Sequence, residues 1–150
     1  MTQPLIDERR NLNRMAQDEL RAIKALIGDV GFARTQEIRK NISRIGRLIA
    51  SYKELSKESS GEDNSYQKTL KSNFAKSASL LDLPPITEFD NNPEYIKVLE
   101  DKQLQLSGLI EVEFPEHATQ VLDHYANYDR LSMQSDAIKI NMNSAYGRSV

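Results

Sequence analysis

A run of apolar residues spaced four, three, four and three apart constrains this chain more than any other feature of its sequence. The run consists of Ile38, Ile42, Ile45, Ile49 and Tyr52, here called the isoleucine stripe. This spacing fills the a and d positions of two heptads, so it predicts an apolar face on an α-helix that another surface must cover. Covering each side chain would contribute about 1.5 to 3 kcal/mol, whereas such a helix is marginally stable alone.

A second apolar stripe precedes the first and predicts another amphipathic helix. Leu12, Ala16, Ile23, Ile27 and Val30 fall on one side of this helix. The helix is expected to end near Gly28, because glycine readily adopts the left-handed conformation that closes helices. Two amphipathic helices joined by so short a turn predict an antiparallel, coiled-coil-like hairpin as the N-terminal domain, residues 1–56.

Two connectors divide the rest of the chain. Residues 57–68 are rich in Ser, Glu, Asp and Asn and lack large aliphatic side chains, which is typical of a flexible linker. The C-terminal helical region, residues 69–150, is interrupted by a Pro-rich connector at 82–92, where Pro84 and Pro85 exclude regular helix. The sequence therefore predicts an all-α protein with two to three further amphipathic helices after the linker.

Local signals place the remaining helices of the C-terminal region. Asn92, Pro93 and Glu94 form a strong helix start, because an Asn cap precedes a proline and an acidic first turn. Residues 109–114 alternate apolar and acidic side chains, which leaves a helix extension, an extended link and a strand completed by another subunit as alternatives. We favour the extension or the link, since the sequence contains no second strand candidate. The last helix is predicted from about Glu116 to Ile140.

The composition argues against most catalytic chemistry. The 150 residues include no Cys and only two His, which excludes disulfides, thiolate nucleophiles and Cys-based metal centres. His117 and His124 lie seven residues apart, about 10 Å along a helix, so they are too distant to bind one metal ion and are expected to be surface histidines. There is also no glycine-rich phosphate loop. We therefore expect no catalytic residues, no cofactor and no metal, and hence not an enzyme.

The longest apolar runs predict no association with a membrane. They reach three to four residues, whereas crossing a bilayer takes about 20. The N-terminal residues also lack the basic region and apolar run of a signal peptide. The expected location is the cytoplasm, which would be the host cytoplasm or the virion for a viral protein.

The leading functional hypothesis is a non-catalytic interaction or adaptor protein. Such a protein would self-associate or bind a larger protein partner through heptad-spaced apolar stripes. The expected interface comprises the isoleucine stripe together with Tyr125 and Tyr128 of the last helix, since tyrosine is enriched at interfaces. Half-buried core positions are the alternative for these two tyrosines.

The alternative hypothesis is a DNA-binding adaptor of a small phage-packaging or regulatory type. The candidate contacts are Arg39, Lys40, Arg44 and Arg47, most of which lie opposite the isoleucine stripe. From Arg34 to Lys53 there are six basic residues and one acidic residue. Such a basic ridge could contact phosphates or an acidic protein face, or it could simply face solvent, as charged helix faces commonly do.

The distribution of charge along the chain is consistent with two arrangements. The basic hairpin could dock on the acidic C-terminal helices, within one chain or between subunits, or a basic end could face DNA while an acidic end faces protein. The formal net charge is only −2. Residues 1–60, however, carry twelve basic and eight acidic groups, a sum of +4, whereas residues 91–150 carry five and nine, a sum of −4. This layout, with a basic helical unit, a polar linker and an acidic helical region, is similar to that of small phage packaging or adaptor proteins.

Overall fold

A computed structural model describes residues 3–57, 65–86 and 89–148, with side chains as far as residue 143. The described residues form five helices and contain no strand, so the predicted all-α class is confirmed. None of these helices has an apolar stretch long enough to cross a membrane. The helices are α1 (Gln3–Lys57), α2 (Ser65–Leu80), α3 (Pro93–Ser107), α4 (Leu109–Glu113) and α5 (Ala118–Arg148).

The long helix α1 is kinked at Gly28, the residue near which the first helix was expected to end. Gly28 has φ 78° and ψ 173°, a backbone conformation that is essentially restricted to glycine. The helical segments on either side meet at this residue without an intervening loop. The break is therefore where the sequence placed it, while the coiled-coil-like hairpin of the two segments is not confirmed.

The first compact unit comprises Met1–Arg34 and Glu113–Val150. In it, the N-terminal part of α1 and helix α5 run antiparallel. Glu19 of α1 contacts His124 near the start of α5, whereas the earlier residue Ile6 lines one cavity with Met142, near the end of α5. Arg34, later in α1, contacts Glu113, the last residue of α4. Ala16 and Ile23 of the first predicted stripe are buried here, as are Val121 and Tyr125 of α5.

The second compact unit, Thr35–Val112, is built around the isoleucine stripe. Ile45 and Tyr52 lie at the centre of its core, and Ile42 and Ile49 pack against them. Helices α2 and α3 and the connector between them supply the covering residues. These are Phe74, Ala78, Leu81, Leu83, Tyr95, Leu99 and Leu106.

The bounds of these units differ from the predicted domains. The two parts of α1 fall in different units because each has its own partner helices. The predicted linker, 57–68, is also shorter than expected: Lys57 ends α1, residues 58–64 lie outside the described residues, and residues 65–68 form the first turn of α2. That turn is helical because Gln67 is buried and the Thr69 hydroxyl donates to the Ser65 carbonyl at 2.9 Å.

The local signals of the C-terminal region are largely confirmed. Between α2 and α3 the described residues of the Pro-rich connector are non-helical, and residues 87–88 lie outside the description. The side chain of Asn92 accepts a hydrogen bond from the Glu94 amide at 2.9 Å, as an N-cap does. Residues 109–113 extend the helical chain as α4, which rules out the strand alternative. Helix α5 begins at Ala118 and ends at Arg148, eight residues beyond the predicted end.

Candidate nucleic-acid interface

The isoleucine stripe is covered by the chain itself and does not form an open interface. Ile38, Ile45 and Tyr52 are 0% exposed. A partner could reach these side chains only by opening the core of the second compact unit. The sequence was therefore right that this face needs a cover, but α2 and α3 supply that cover.

The three tyrosines of the predicted interface, and Tyr95 beside the isoleucine stripe, all take part in packing within the fold. Tyr125 is buried and Tyr128 is half-buried on α5, which favours the core alternative for these residues. The Tyr52 hydroxyl accepts a hydrogen bond from the Asn92 amide at 2.9 Å, and the Tyr95 hydroxyl donates to the Pro84 carbonyl at 3.1 Å. Burial, with a smaller contribution from the nearby Tyr52, raises the pKa of Tyr95.

The basic ridge on α1 lies at the surface of the second compact unit. Lys40 and Arg47 are exposed, whereas Arg39 and Arg44 are half-buried. The Arg44 guanidinium donates through Nη1 to the Asn41 side-chain oxygen at 2.6 Å, which holds the arginine against the helix. All four predicted contact residues thus lie on one helix, and two of them are exposed.

Helix α2 converts part of this ridge into the wall of a groove. Lys40, Arg44, Arg47 and Ser51 follow one face of α1 at steps of four, three and four. Arg44, Arg47 and Ser51 line a groove of about 360 Å³ whose other wall includes Asn73 and Ser77 of α2. A shallow depression of about 740 Å³ on the outer side shares Arg44 and Arg47 and includes Lys40. We call these six side chains the basic groove.

The helices beside the basic groove are free of acidic residues over a considerable length. Residues 38–53 of α1 include five basic and no acidic side chains. Helix α2 adds Lys68, Lys71 and Lys76, again with no acidic residue. Lys71 lies over the Phe89 ring at 5.7 Å, while Lys68 and Lys76 are exposed. Eight positive charges therefore lie on two neighbouring helices of one compact unit.

The residue types in the basic groove suit an anionic ligand with many oxygen atoms. Arginine offers a planar fork of donors that matches phosphate or carboxylate oxygens, and lysine adds a point charge. The Ser51 and Ser77 hydroxyls and the Asn73 amide are neutral donors of the kind that contact phosphate oxygens. Among the described lining residues there is no carboxylate to compete with such a ligand. Leu48, Leu70 and Phe74 complete the lining.

Asn73 and Ser77 are absent from the contacts predicted by sequence. One signal was available, since α2 combines three lysines with no acidic residue. That signal could not place α2 beside the basic ridge, because about twenty residues separate Ser51 from Asn73 and part of that stretch was interpreted as a linker. The pairing of the two helices is a property of the fold.

Two further polar contacts lie in the first compact unit. Arg34 donates from Nε and Nη2 to the two carboxylate oxygens of Glu113, each at 2.7 Å. This hydrogen bonding from Arg34 lowers the pKa of Glu113, against a smaller opposing effect of burial. His124 Nδ1 lies 2.5 Å from the Glu19 carboxylate. Both histidines, His117 and His124, are half-buried.

Neither a metal centre nor a known relative indicates the function. Among the described residues, no group of three or more His, Cys, Asp and Glu side chains could hold a metal ion. No protein-family model, curated protein or solved structure matches this chain. The function must therefore be inferred from the surfaces that the helices present.

Proposed function

We propose that the protein is a non-catalytic helical adaptor that binds nucleic acid in the cytoplasm through the phosphate backbone, using the basic groove. The observation that carries this proposal is the pairing of α1 and α2, which lines one groove with Arg44 and Arg47. Residues 38–53 of α1 and the whole of α2, which border this groove, together hold eight basic and no acidic side chains. Protein binding through the isoleucine stripe is less favoured, because Ile38, Ile45 and Tyr52 are buried and Ile42 and Ile49 are half-buried. The same packing builds the groove.

The spacing of the cations favours a nucleic acid. Lys40 and Arg47 are seven residues apart, which corresponds to about 10.5 Å along a helix, with Arg44 between them. Measured along the axis of a duplex, each strand carries one phosphate per about 3.4 Å. A duplex therefore presents a dense, regularly spaced row of negative charges to such a row of cations. An acidic peptide offers carboxylates on flexible side chains with no fixed spacing.

The basic groove favours binding that does not depend on base sequence. Its aromatic lining residue, Phe74, is only 2% exposed, so it offers no ring on which a base could stack. The serine and asparagine side chains of the groove are short, and the Arg44 guanidinium is already hydrogen-bonded to Asn41. Contacts of this kind position a protein on the backbone and carry little sequence information. Affinity is consequently expected to fall steeply with salt as counterions are released.

The test measures binding of a fluorescent duplex of about 20 base pairs by anisotropy, at about 50 and 200 mM salt. Lys40→Glu/Arg47→Glu, at two exposed positions, should weaken binding at least tenfold at the lower salt and reduce the slope of log affinity against log salt by about 2, roughly one for each lost phosphate contact. Arg14→Glu/Lys97→Glu is the matched control, since it changes the net charge equally at exposed positions that are not among the lining residues of the groove.

A second pair of variants tests the contribution of α2. Asn73→Asp introduces a negative charge into the groove wall, whereas Ser72→Asp introduces the same charge at the adjacent exposed position. We expect Asn73→Asp to weaken binding several-fold more than Ser72→Asp does. The proposal would be overturned if no duplex bound at about 50 mM salt, if both double variants lost affinity equally, or if polyglutamate competed as well as DNA at equal charge.

A further inference from the structure

One aromatic side chain lies exposed beside the end of the basic groove. Of the Phe and Tyr side chains that the structure describes, only Tyr66 is exposed, at 58%. Tyr66 belongs to the row of α2 residues that lines the groove, because successive members of this row follow one another at steps of four, three and four. The row consists of Tyr66, Leu70, Asn73 and Ser77.

A hydrogen bond to α1 places this tyrosine at one end of the groove. The Tyr66 hydroxyl donates to Glu54 Oε1 at 3.3 Å. Tyr66 lies one turn before the lining residue Leu70 on α2, and Glu54 lies one turn after Ser51 on α1. The contact therefore marks the end of the groove that is away from Lys40. Because its hydroxyl is already bound, the tyrosine loses less side-chain freedom when a ligand contacts its ring.

The charge beside α1 changes sign at the same place. Arg44 and Arg47 attract phosphates in the groove, whereas the Glu54 carboxylate repels them. A phosphate backbone that follows the basic groove is therefore expected to leave the surface of α1 at Glu54, next to Tyr66. At this point the protein offers the backbone no cation and offers a base an aromatic ring.

We infer that Tyr66 stacks on an unpaired base of the bound nucleic acid, so that single-stranded nucleic acid is the preferred ligand of the groove. This inference rests on the proposed function, because the basic groove holds the backbone. The bases of a duplex are stacked on one another, so an external ring reaches a base only where the strand is unpaired. Stacking of this kind tolerates every base, in keeping with the sequence-independent contacts of the groove.

The test compares three fluorescent ligands of about 12 nucleotides by anisotropy at about 50 mM salt. They are a thymine strand, an abasic strand with the same number of phosphates, and a blunt duplex. The native chain should bind the thymine strand about fivefold or more tightly than the abasic strand, which is the lower limit for one stacked base. Tyr66→Ala should abolish this preference and leave the affinity for the duplex within about twofold of the native value.

Two further variants separate the ring from other properties of the side chain. Tyr66→Phe removes the hydroxyl but keeps the ring, so it should keep most of the preference for the thymine strand. Leu104→Ala removes another exposed apolar side chain of the same compact unit, one that is 76% exposed on α3, and should change none of the three affinities. Circular dichroism and thermal melting confirm that each variant is folded before it is compared.

The inference is wrong if the native chain binds the two strands equally, if Tyr66→Ala keeps the native preference, or if Tyr66→Ala weakens duplex binding as much as thymine-strand binding. The proposed function is scored separately by Lys40→Glu/Arg47→Glu, which should weaken binding of all three ligands and reduce its salt dependence. Tyr66→Ala removes no charge and should leave the salt dependence unchanged. If only the double variant loses affinity, the proposed function stands and the stacking role of Tyr66 fails. If the double variant loses none, the proposed function fails whatever Tyr66→Ala does.

Discussion

Individual polar side chains in this protein join segments that are far apart in the sequence. The Tyr52 hydroxyl, for example, accepts the amide hydrogen of Asn92, the residue that also caps α3. A buried or half-buried amide left without a partner costs about 1 to 3 kcal/mol, so this contact helps to determine where the Pro-rich connector meets α1. The heptad spacing predicted that Tyr52 is buried, but it could not predict what its hydroxyl binds.

The ion pair between Arg34 and Glu113 predicts that the stability lost on replacing Glu113 depends on pH. Arg34 lowers the pKa of Glu113, so the stabilisation is present above the ordinary carboxyl pKa and is lost as pH falls through the lowered value. Glu113→Gln should cost about 0.5 to 1 kcal/mol at pH 7, because the pair is partly exposed. The cost should approach zero near pH 3, where the native carboxylate is becoming protonated.

Urea denaturation at the two pH values measures this difference. Glu111→Gln, an exposed glutamate two residues earlier, is the matched control and should change stability little at either pH. A Glu113→Gln cost that stayed the same from pH 7 to pH 3 would show that the ion pair is not its source.

At the level of elements, local signals account for most helix boundaries. Gly28 breaks α1, the double proline separates α2 from α3, and Asn92 begins α3, because each of these residues restricts its own backbone or satisfies adjacent amides. At residues 65–68, by contrast, the local signal predicted a linker but tertiary packing determines the structure. Their composition is polar, but packing of Gln67 against the second compact unit makes them helical.

Two glycines of α1 predict opposite effects of the same substitution. Gly28→Ala should destabilise the protein by about 1 to 3 kcal/mol, since alanine is strained at this positive φ, although no atom lies within 4 Å of the added methyl. Gly46→Ala also meets no atom, but Gly46 is helical and should gain up to about 1 kcal/mol from higher helix propensity. Chemical denaturation of both variants checks the signs. If Gly28→Ala were as stable as Gly46→Ala, the kink would not depend on glycine.

At the level of the whole molecule, the opposite charges of the two ends are not divided between the compact units. Residues 38–53 of α1, which include five basic side chains, join the three lysines of α2 in the second compact unit, and that unit also holds the acidic residues of α3. The basic character of the proposed nucleic-acid surface is therefore a local property of two neighbouring helices.

The amino-acid sequence by itself determined the helical class, the breaks at glycine and proline, the cap of α3 and the need to cover the isoleucine stripe. These features depend on residues close together in the chain. Only the tertiary structure decided that α2 and α3 cover that stripe, that α5 pairs with the first part of α1, and that Asn73 and Ser77 join the basic ridge. The physical reason is that periodicity identifies which face of a helix is apolar or charged, whereas the choice of its neighbour depends on packing the whole chain at once.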